Sequence, residues 1–295
     1  MMFLQEQILR EGVIPINCQI EFTNHCQLSC IECPHRLMQR PKAKMTDKIF
    51  DVVLNEYIVN LKNDEATLGY PPTVICHKDG EPLLHPKLKE YLSRIAAVKP
   101  NFRINLYTNG LLLTREFIDF LGTLPNKIWL FVSFHFYGYL GKKVDYTKTE
   151  NLFRGVLNSS NPYSNIFFVF TSHVTRFIGA DDLNMWAKIW QSQVPEGRLT
   201  IGINNSINPW TGLIDEPNCV KFDGCPYADF GHLFIGVTGN VIPCCMLLEE
   251  DIVFGNVMTD SRTMIYAKAE EFYSSLREKK NYPAICQKCI GVKNE

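Results

Sequence analysis

Between residues 18 and 204, short apolar runs alternate with stretches of helical period, and that alternation leaves few folds open. The runs are CQIEF (18–22), TVICH (73–77), FRINLYT (102–108), KIWLFVSF (127–134), IFFVFTS (166–172) and RLTIGIN (198–204). Between them, apolar residues recur with a period near 3.6 over 46–62, 86–98, 114–124, 147–157 and 180–190. Thr46 and Thr114 predict helix N-caps, and Pro86 suits a first helical turn. Parallel neighbours need a crossover of a dozen or more residues, so strands spaced by helices predict an α/β fold with a parallel sheet. Six such units fall short of the eight of a closed barrel. The expected fold is a partial (β/α)6 barrel, with ligands at the carboxyl ends of its strands.

Past residue 206 the pattern changes. NNSINPWTGLIDEPN is a loop rich in Asn, Pro and Gly and predicts a boundary. HLFIGVTGNVIPCC (232–245) predicts a β-hairpin around Thr238, Gly239 and Asn240, and a helical pattern runs from about 262 to 280. The expected organisation is a barrel over 1–206 and a small cysteine-rich domain of hairpin plus helix over 207–295.

Thirty Lys+Arg against 31 Asp+Glu offer no electrostatic footprint for a nucleic-acid backbone. No segment approaches 18 consecutive apolar residues, and the first residues lack a secretory apolar run, so neither a membrane nor export is expected. The expectation is a cytoplasmic protein. Its 11 cysteines are many for such a chain, and an odd total leaves one unpaired in any all-disulfide scheme. Clustered thiols in a reducing compartment read as metal ligands or catalysts.

FTNHCQLSCIECPHR places Cys26, Cys30 and Cys33 just after the first run. Three thiols there suit zinc, a disulfide partner or an iron–sulfur cluster. Zinc commonly takes four ligands from paired C-x2-C units, and this loop has three at uneven spacing. Three cysteines on a cubane leave one iron open to a small molecule. The C-x3-C-x2-C spacing after a first strand, followed by Pro34, resembles the radical S-adenosylmethionine enzymes.

The resemblance continues in strand order over about 16–206. KDGEPLLHP (78–86) is similar to the family's Gly-Gly-Glu motif, which implies that Asp79, Gly80 and Glu81 receive the cosubstrate's ammonium group. LYTNG (106–110) is similar too, and implies contacts from Thr108 and Asn109. At the later strand ends the resemblance implies contacts from Ser133, His135, Ser172 and Asn204. Three departures stand out. Asp79 replaces a glycine, Gln27 stands where Asn often follows the first cysteine, and Glu32 stands where an aromatic often packs on the adenine. The implied cofactors are S-adenosyl-L-methionine and a [4Fe–4S] cluster on Cys26, Cys30 and Cys33. An external electron donor such as a flavodoxin or ferredoxin is the implied partner.

Six further cysteines lie near the C-terminus: Cys219, Cys225, Cys244, Cys245, Cys286 and Cys289. One more [4Fe–4S] cluster needs four. Cys225, Cys244, Cys286 and Cys289 resemble the auxiliary-cluster domain called twitch more than the larger SPASM domain, with Cys219 competing with Cys225. A small zinc-binding cap is the alternative. The arrangement resembles that of the group holding the butirosin-pathway dehydrogenase and the neomycin-pathway epimerase.

Adjacent side chains in a strand point to opposite faces. If Cys244 binds a cluster, Cys245 faces elsewhere, either as a hydrogen-atom donor in the cavity or as a small buried residue. Cys18 and Cys76 read as barrel core. His135, past the fourth strand, suits a cosubstrate contact or proton transfer. Arg176 suits a carboxylate partner or solvent, while Trp210 and Tyr227 suit packing at the domain junction.

The resemblance implies oxidation of a hydroxyl-bearing carbon in a sugar, cyclitol or aminoglycoside-like small molecule. Epimerisation with Cys245 as donor is the second reading. Peptide maturation is a third, disfavoured because Cys26 comes so early. A non-catalytic metal-binding protein is the rival from another class.

Overall fold

The computed structural model describes residues 17–61, 71–159, 163–228, 232–278 and 281–290. Six parallel strands form in the expected order: β1 (Asn17–Ile20), β2 (Thr73–Ile75), β3 (Arg103–Thr108), β4 (Ile128–Ser133), β5 (Ile166–His173) and β6 (Leu199–Asn204). Helices α1 (Asp47–Val52), α2 (Leu88–Val98), α3 (Arg115–Thr123), α4 (Thr147–Leu157) and α5 (Ala180–Gln193) alternate with them. Burial along β4 shows why. Ile128, Leu130 and Val132 are buried, whereas Trp129, Phe131 and Ser133 on the other face are half-buried. A strand covered by helices on one side and bordering a cavity on the other shows this period of two.

Thr46 and Thr114 cap their helices, each hydroxyl accepting from the backbone N–H three residues on, at 3.3 and 3.2 Å. Two expectations need correction. Pro86 lies before α2, whose cap is Lys87. The pattern over 46–62 is α-helical only to Val52 and turns π-helical over Val53–Ile58, with residue 62 outside the described residues.

The hairpin forms from β7 (His232–Ile235) and β8 (Asn240–Ile242), with β9 (Gly255–Asn256) beside it. It does not stand apart from the barrel. β7 lies parallel to β1, pairing Asn17 with His232 and Ile20 with Ile235. The outcome is one nine-stranded sheet, ordered β6-β5-β4-β3-β2-β1-β7-β8-β9. An open barrel leaves the outer edge of β1 with unpaired backbone groups, and β7 satisfies them. Helix α6 (Arg262–Glu278) covers the hairpin, its Tyr273 hydroxyl donating to the Pro243 carbonyl. Among the described residues no helix is long and apolar enough to cross a membrane.

A buried ionic cluster locks the hairpin to the barrel. Arg40 pairs with Glu21 at 2.5 Å, with Asp79 at 2.7 Å and with Glu250 at 3.3 Å. Its Nε donates to the Leu248 carbonyl at 2.7 Å, and Glu21 also accepts from Val237 N–H at 2.9 Å. Removing one partner strands buried charge, which typically costs about 3–5 kcal/mol. Arg40→Met is therefore expected to lower unfolding stability by roughly that amount, read as a drop in the urea midpoint at unchanged slope.

Candidate active site

The loop after β1 is fixed by its own backbone. Asn24, wholly buried, accepts from Ala43 N–H at 2.6 Å and donates to the Pro41 carbonyl at 3.0 Å. The loop after β2 then docks on it, with Glu81 N–H donating to the His25 carbonyl at 2.7 Å. Gly80 makes that approach possible, because a Cβ there would stand 2.2 Å from the Thr23 carbonyl oxygen. Gly80→Ala is expected to cost about 1–3 kcal/mol, as overpacking against unyielding backbone does. A thermal melt checks it, and an unchanged midpoint would show that the two loops have room to part.

These loops open a cavity of about 480 Å³ at the carboxyl ends of the strands, bordered by Cys26, Cys30 and Cys33. Asp79, Gly80, Glu81, Thr108, Asn109, Ser133, His135 and Cys245 border it as well. Several of these side chains are engaged with one another. The Glu81 carboxylate accepts from Thr108 Oγ1 at 2.8 Å and from the N–H groups of Asn109 and Leu83 at 2.7 and 3.1 Å. It therefore ties the end of β3 to the β2 loop. Asp79 turns into the ionic cluster, against Arg40 and Lys78.

Asn109 faces the cysteines directly. Its Nδ2 lies 3.9 Å from Cys26 Sγ, and its Oδ1 accepts from Gln27 Nε2 at 3.0 Å. Gln27, a departure from the family pattern, is thus a brace for Asn109. That pairing was signalled in the sequence only by the departure itself.

The sulfurs of Cys26, Cys30 and Cys33 border one space without converging on a point. Among the described residues, the ligand atoms that come within 4.8 Å of one another in a group of three belong to Glu32, His135 and His173, not to cysteines. Thiolates around one zinc at 2.3 Å stand about 3.8 Å apart. The wider cysteine arrangement fits a polynuclear cluster better than a single ion.

At the other end of the chain, Cys225 is the common neighbour of three thiols. Burial pushes up Cys244, Cys286 and Cys289, and the charge of Cys225 adds to the rise in each. Cys219 bears in this way on Cys289. Cys286 and Cys289 sit on a turn around α7 (Ala284–Gln287), with Cys289 N–H donating to the Cys286 carbonyl at 3.0 Å. Thr211 N–H reaches Cys289 Sγ at 3.2 Å, from a loop where Trp210 and Thr211 hold φ of 46° and 54°. Non-glycine residues in this left-handed region carry strain, which the surrounding contacts hold in place.

Cys244 and Cys245 lie just past the end of β8 rather than within it, yet they diverge. Cys244 faces Cys225 and Cys286, while Cys245 borders the cavity and meets the Tyr227 hydroxyl at 3.0 Å. Burial raises the Cys245 thiol, against the pull of the Tyr227 hydrogen bond, so it carries its proton at neutral pH. Tyr227 and Trp210, expected at the junction, both border the cavity.

Two expected contacts are not there. Ser172 is buried away from the cavity, its hydroxyl donating to the Phe134 carbonyl at 2.8 Å, because alternation along β5 puts His173 on the inner face instead. Asn204 is exposed and lies behind His173, with Nδ2 at 3.3 Å from its Nε2. Arg176 is taken by Glu216, at 2.5 Å. Glu32 and His173 also border the cavity. Glu32 Oε1 lies 2.6 Å from His135 Nδ1, and the two imidazoles are parallel with centroids 6.4 Å apart.

Comparison with known proteins supports a common architecture. Residues 225–290 match the SPASM family, described as an iron–sulfur cluster-binding domain, a span that begins at Cys225 and leaves out Cys219. A search of curated protein sequences finds no match. Among solved structures, BtrN in complex with AdoMet and 2-DOIA shares 19% identity with a TM-score of 0.63, over 94% of each chain. Native anSMEcpe with bound AdoMet shares 16% with a TM-score of 0.59, over 87% of this chain and 82% of that one. Streptococcus suis SuiB bound to S-adenosylmethionine shares 15% with a TM-score of 0.52, over 92% of this chain and 70% of that one. All three are radical S-adenosylmethionine enzymes with SPASM or twitch domains, and this chain has their fold.

Proposed function

We propose, from that shared fold and from three cysteines on the wall of one cavity, that this chain is a radical S-adenosylmethionine oxidoreductase. Its substrate would be a sugar, cyclitol or aminoglycoside-like molecule, oxidised at a hydroxyl-bearing carbon. The barrel over 1–206 would carry the chemistry, and 207–295 the auxiliary domain. The observation that supports this best is that Cys26, Cys30 and Cys33 line one cavity together with the braced Glu81–Thr108–Asn109 end of β3. The match of BtrN, whose complex holds AdoMet and 2-DOIA, supports a small polyol-like substrate.

An iron–sulfur cluster at the first site would supply the low-potential electron for cleaving S-adenosylmethionine, and one at the second would accept the electron that the substrate radical gives up, with a proton, as it becomes the ketone. The chain's own residues do the rest. Cys26, Cys30 and Cys33 would hold the first cluster, and Cys225, Cys244, Cys286 and Cys289 the second. The backbone around Gly80, held against the cysteine loop, would receive the cosubstrate. Ser133 and the His135–Glu32 pair would receive a substrate hydroxyl, while Tyr227 and Trp210 close the cavity on the auxiliary side and exclude water. The test is turnover of candidate polyols to ketones under strong reductant, with one 5′-deoxyadenosine formed per ketone.

Cys245 supports a second reading. A protonated thiol beside Tyr227 in the cavity suits return of a hydrogen atom to a substrate radical, which would make the reaction an epimerisation. Cys245→Ser separates the two. Under the dehydrogenase reading, ketone formation stays within about threefold of the native rate, a change worth less than 1 kcal/mol. If instead turnover stops, and native product made in D2O carries one solvent deuterium without loss of hydrogen, the reaction is epimerisation.

A further inference from the structure

We infer that Glu32, His135 and His173 form a binding site for one divalent cation of the zinc or iron(II) type, in the cavity wall and separate from the cysteine ligands. The three come from the loop after β1, the end of β4 and the end of β5, and the fold brings one ligand atom of each within 4.8 Å of the others. Two imidazoles and a carboxylate are a donor set that divalent transition metals take readily, leaving further positions open.

Polar atoms left over in this cluster point the same way. Glu32 is nearly buried; its Oε1 meets His135 Nδ1, yet its buried Oε2 has no hydrogen-bond partner. His173 Nδ1 is buried and unpartnered as well. Buried polar atoms without a partner are uncommon, and two in one cluster call for a shared occupant. A cation bonded at about 2.1 Å to each residue would set the ligand atoms roughly 3 to 3.5 Å apart. The ligand atoms lie within 4.8 Å of one another, and Glu32 Oε1 and His135 Nδ1, now 2.6 Å apart, would separate and lose the proton between them to take it.

Protonation states agree with this. Burial holds His173 down at about 4, against the opposing pull of Glu32, so its imidazole is neutral at neutral pH. The site therefore offers a neutral imidazole with a ring nitrogen free to bind.

The open positions of the cation would face the cavity beside Ser133, where a substrate with neighbouring hydroxyls could chelate it. That substrate role rests on the proposed oxidation; cation binding does not.

The test is equilibrium dialysis of the fully iron-loaded protein against zinc under anaerobic conditions, with iron counted on the same samples. The expected result is one zinc per chain, bound at least tenfold more weakly by Glu32→Gln and by His173→Asn, whose iron content reports that they remain folded. Cys219→Ser should leave zinc binding unchanged, which separates this site from a spare thiol. No zinc uptake by the native protein, or equal uptake by both variants, would overturn the inference. S-adenosylmethionine cleavage, measured in parallel, tells the two ideas apart. Zinc binding without cleavage keeps the site and sinks the reaction, and cleavage without zinc binding does the reverse.

Discussion

Replacing Cys26, Cys30 and Cys33 together with alanine abolishes S-adenosylmethionine cleavage and leaves the chain with about four irons in place of about eight. The loss is expected to exceed 10⁴-fold, equivalent to more than about 5 kcal/mol of barrier, since no other group in the cavity can deliver a low-potential electron. The fold should survive. These sulfurs border open space and pack little of the core, which is built from residues such as Phe22, Phe50 and Tyr91. Iron and sulfide analysis after anaerobic reconstitution, with circular dichroism as the fold control, reads the result. Essentially no iron in the variant would mean that the C-terminal thiols bind zinc or nothing. The electron-accepting role proposed for them would then fall.

Cys225→Ala gives the complementary result. It removes about four irons and stops substrate oxidation, while S-adenosylmethionine cleavage continues within a fewfold of the native rate. Cys225 is chosen because Cys244, Cys286 and Cys289 all feel its charge, whereas Cys219 reaches Cys289. Cys219→Ala should therefore keep the full iron content. If the two variants behave in the opposite way, Cys219 is the ligand and the loop around Cys225 is a spectator. Loss of cleavage in Cys225→Ala would show that the two ends of the chain do not act separately.

Much of this architecture is legible in the sequence, because the strands read as short apolar runs between segments of helical period. Strand ends came within about two residues of the expected positions for that reason. The pairing of β7 with β1 was not legible. It depends on which open edge a hairpin finds in space, and nothing local in HLFI records that. The Arg40 cluster was hidden in the same way. Asp79 announces itself as a departure from glycine, but its partner Arg40 lies 39 residues earlier, and the link is made only by folding.

Side-chain direction at the strand ends is not legible in the sequence. Ser172 and His173 are neighbours, and assigning the cavity to one rather than the other is a question of parity that a single residue decides. Glu32 showed up as the residue standing where an aromatic is common. What it meets, His135 Nδ1 at 2.6 Å, comes from 103 residues away, beyond the reach of any spacing rule.

The central claim is that the loop of Cys26, Cys30 and Cys33 supports reductive cleavage of S-adenosylmethionine. Its most direct test is chromatography of the anaerobically reconstituted native protein after incubation with S-adenosylmethionine and dithionite. The expected result is 5′-deoxyadenosine and methionine in equal amounts, absent without reductant and absent from the triple alanine variant. A native protein with its full iron content that forms no 5′-deoxyadenosine would contradict the account.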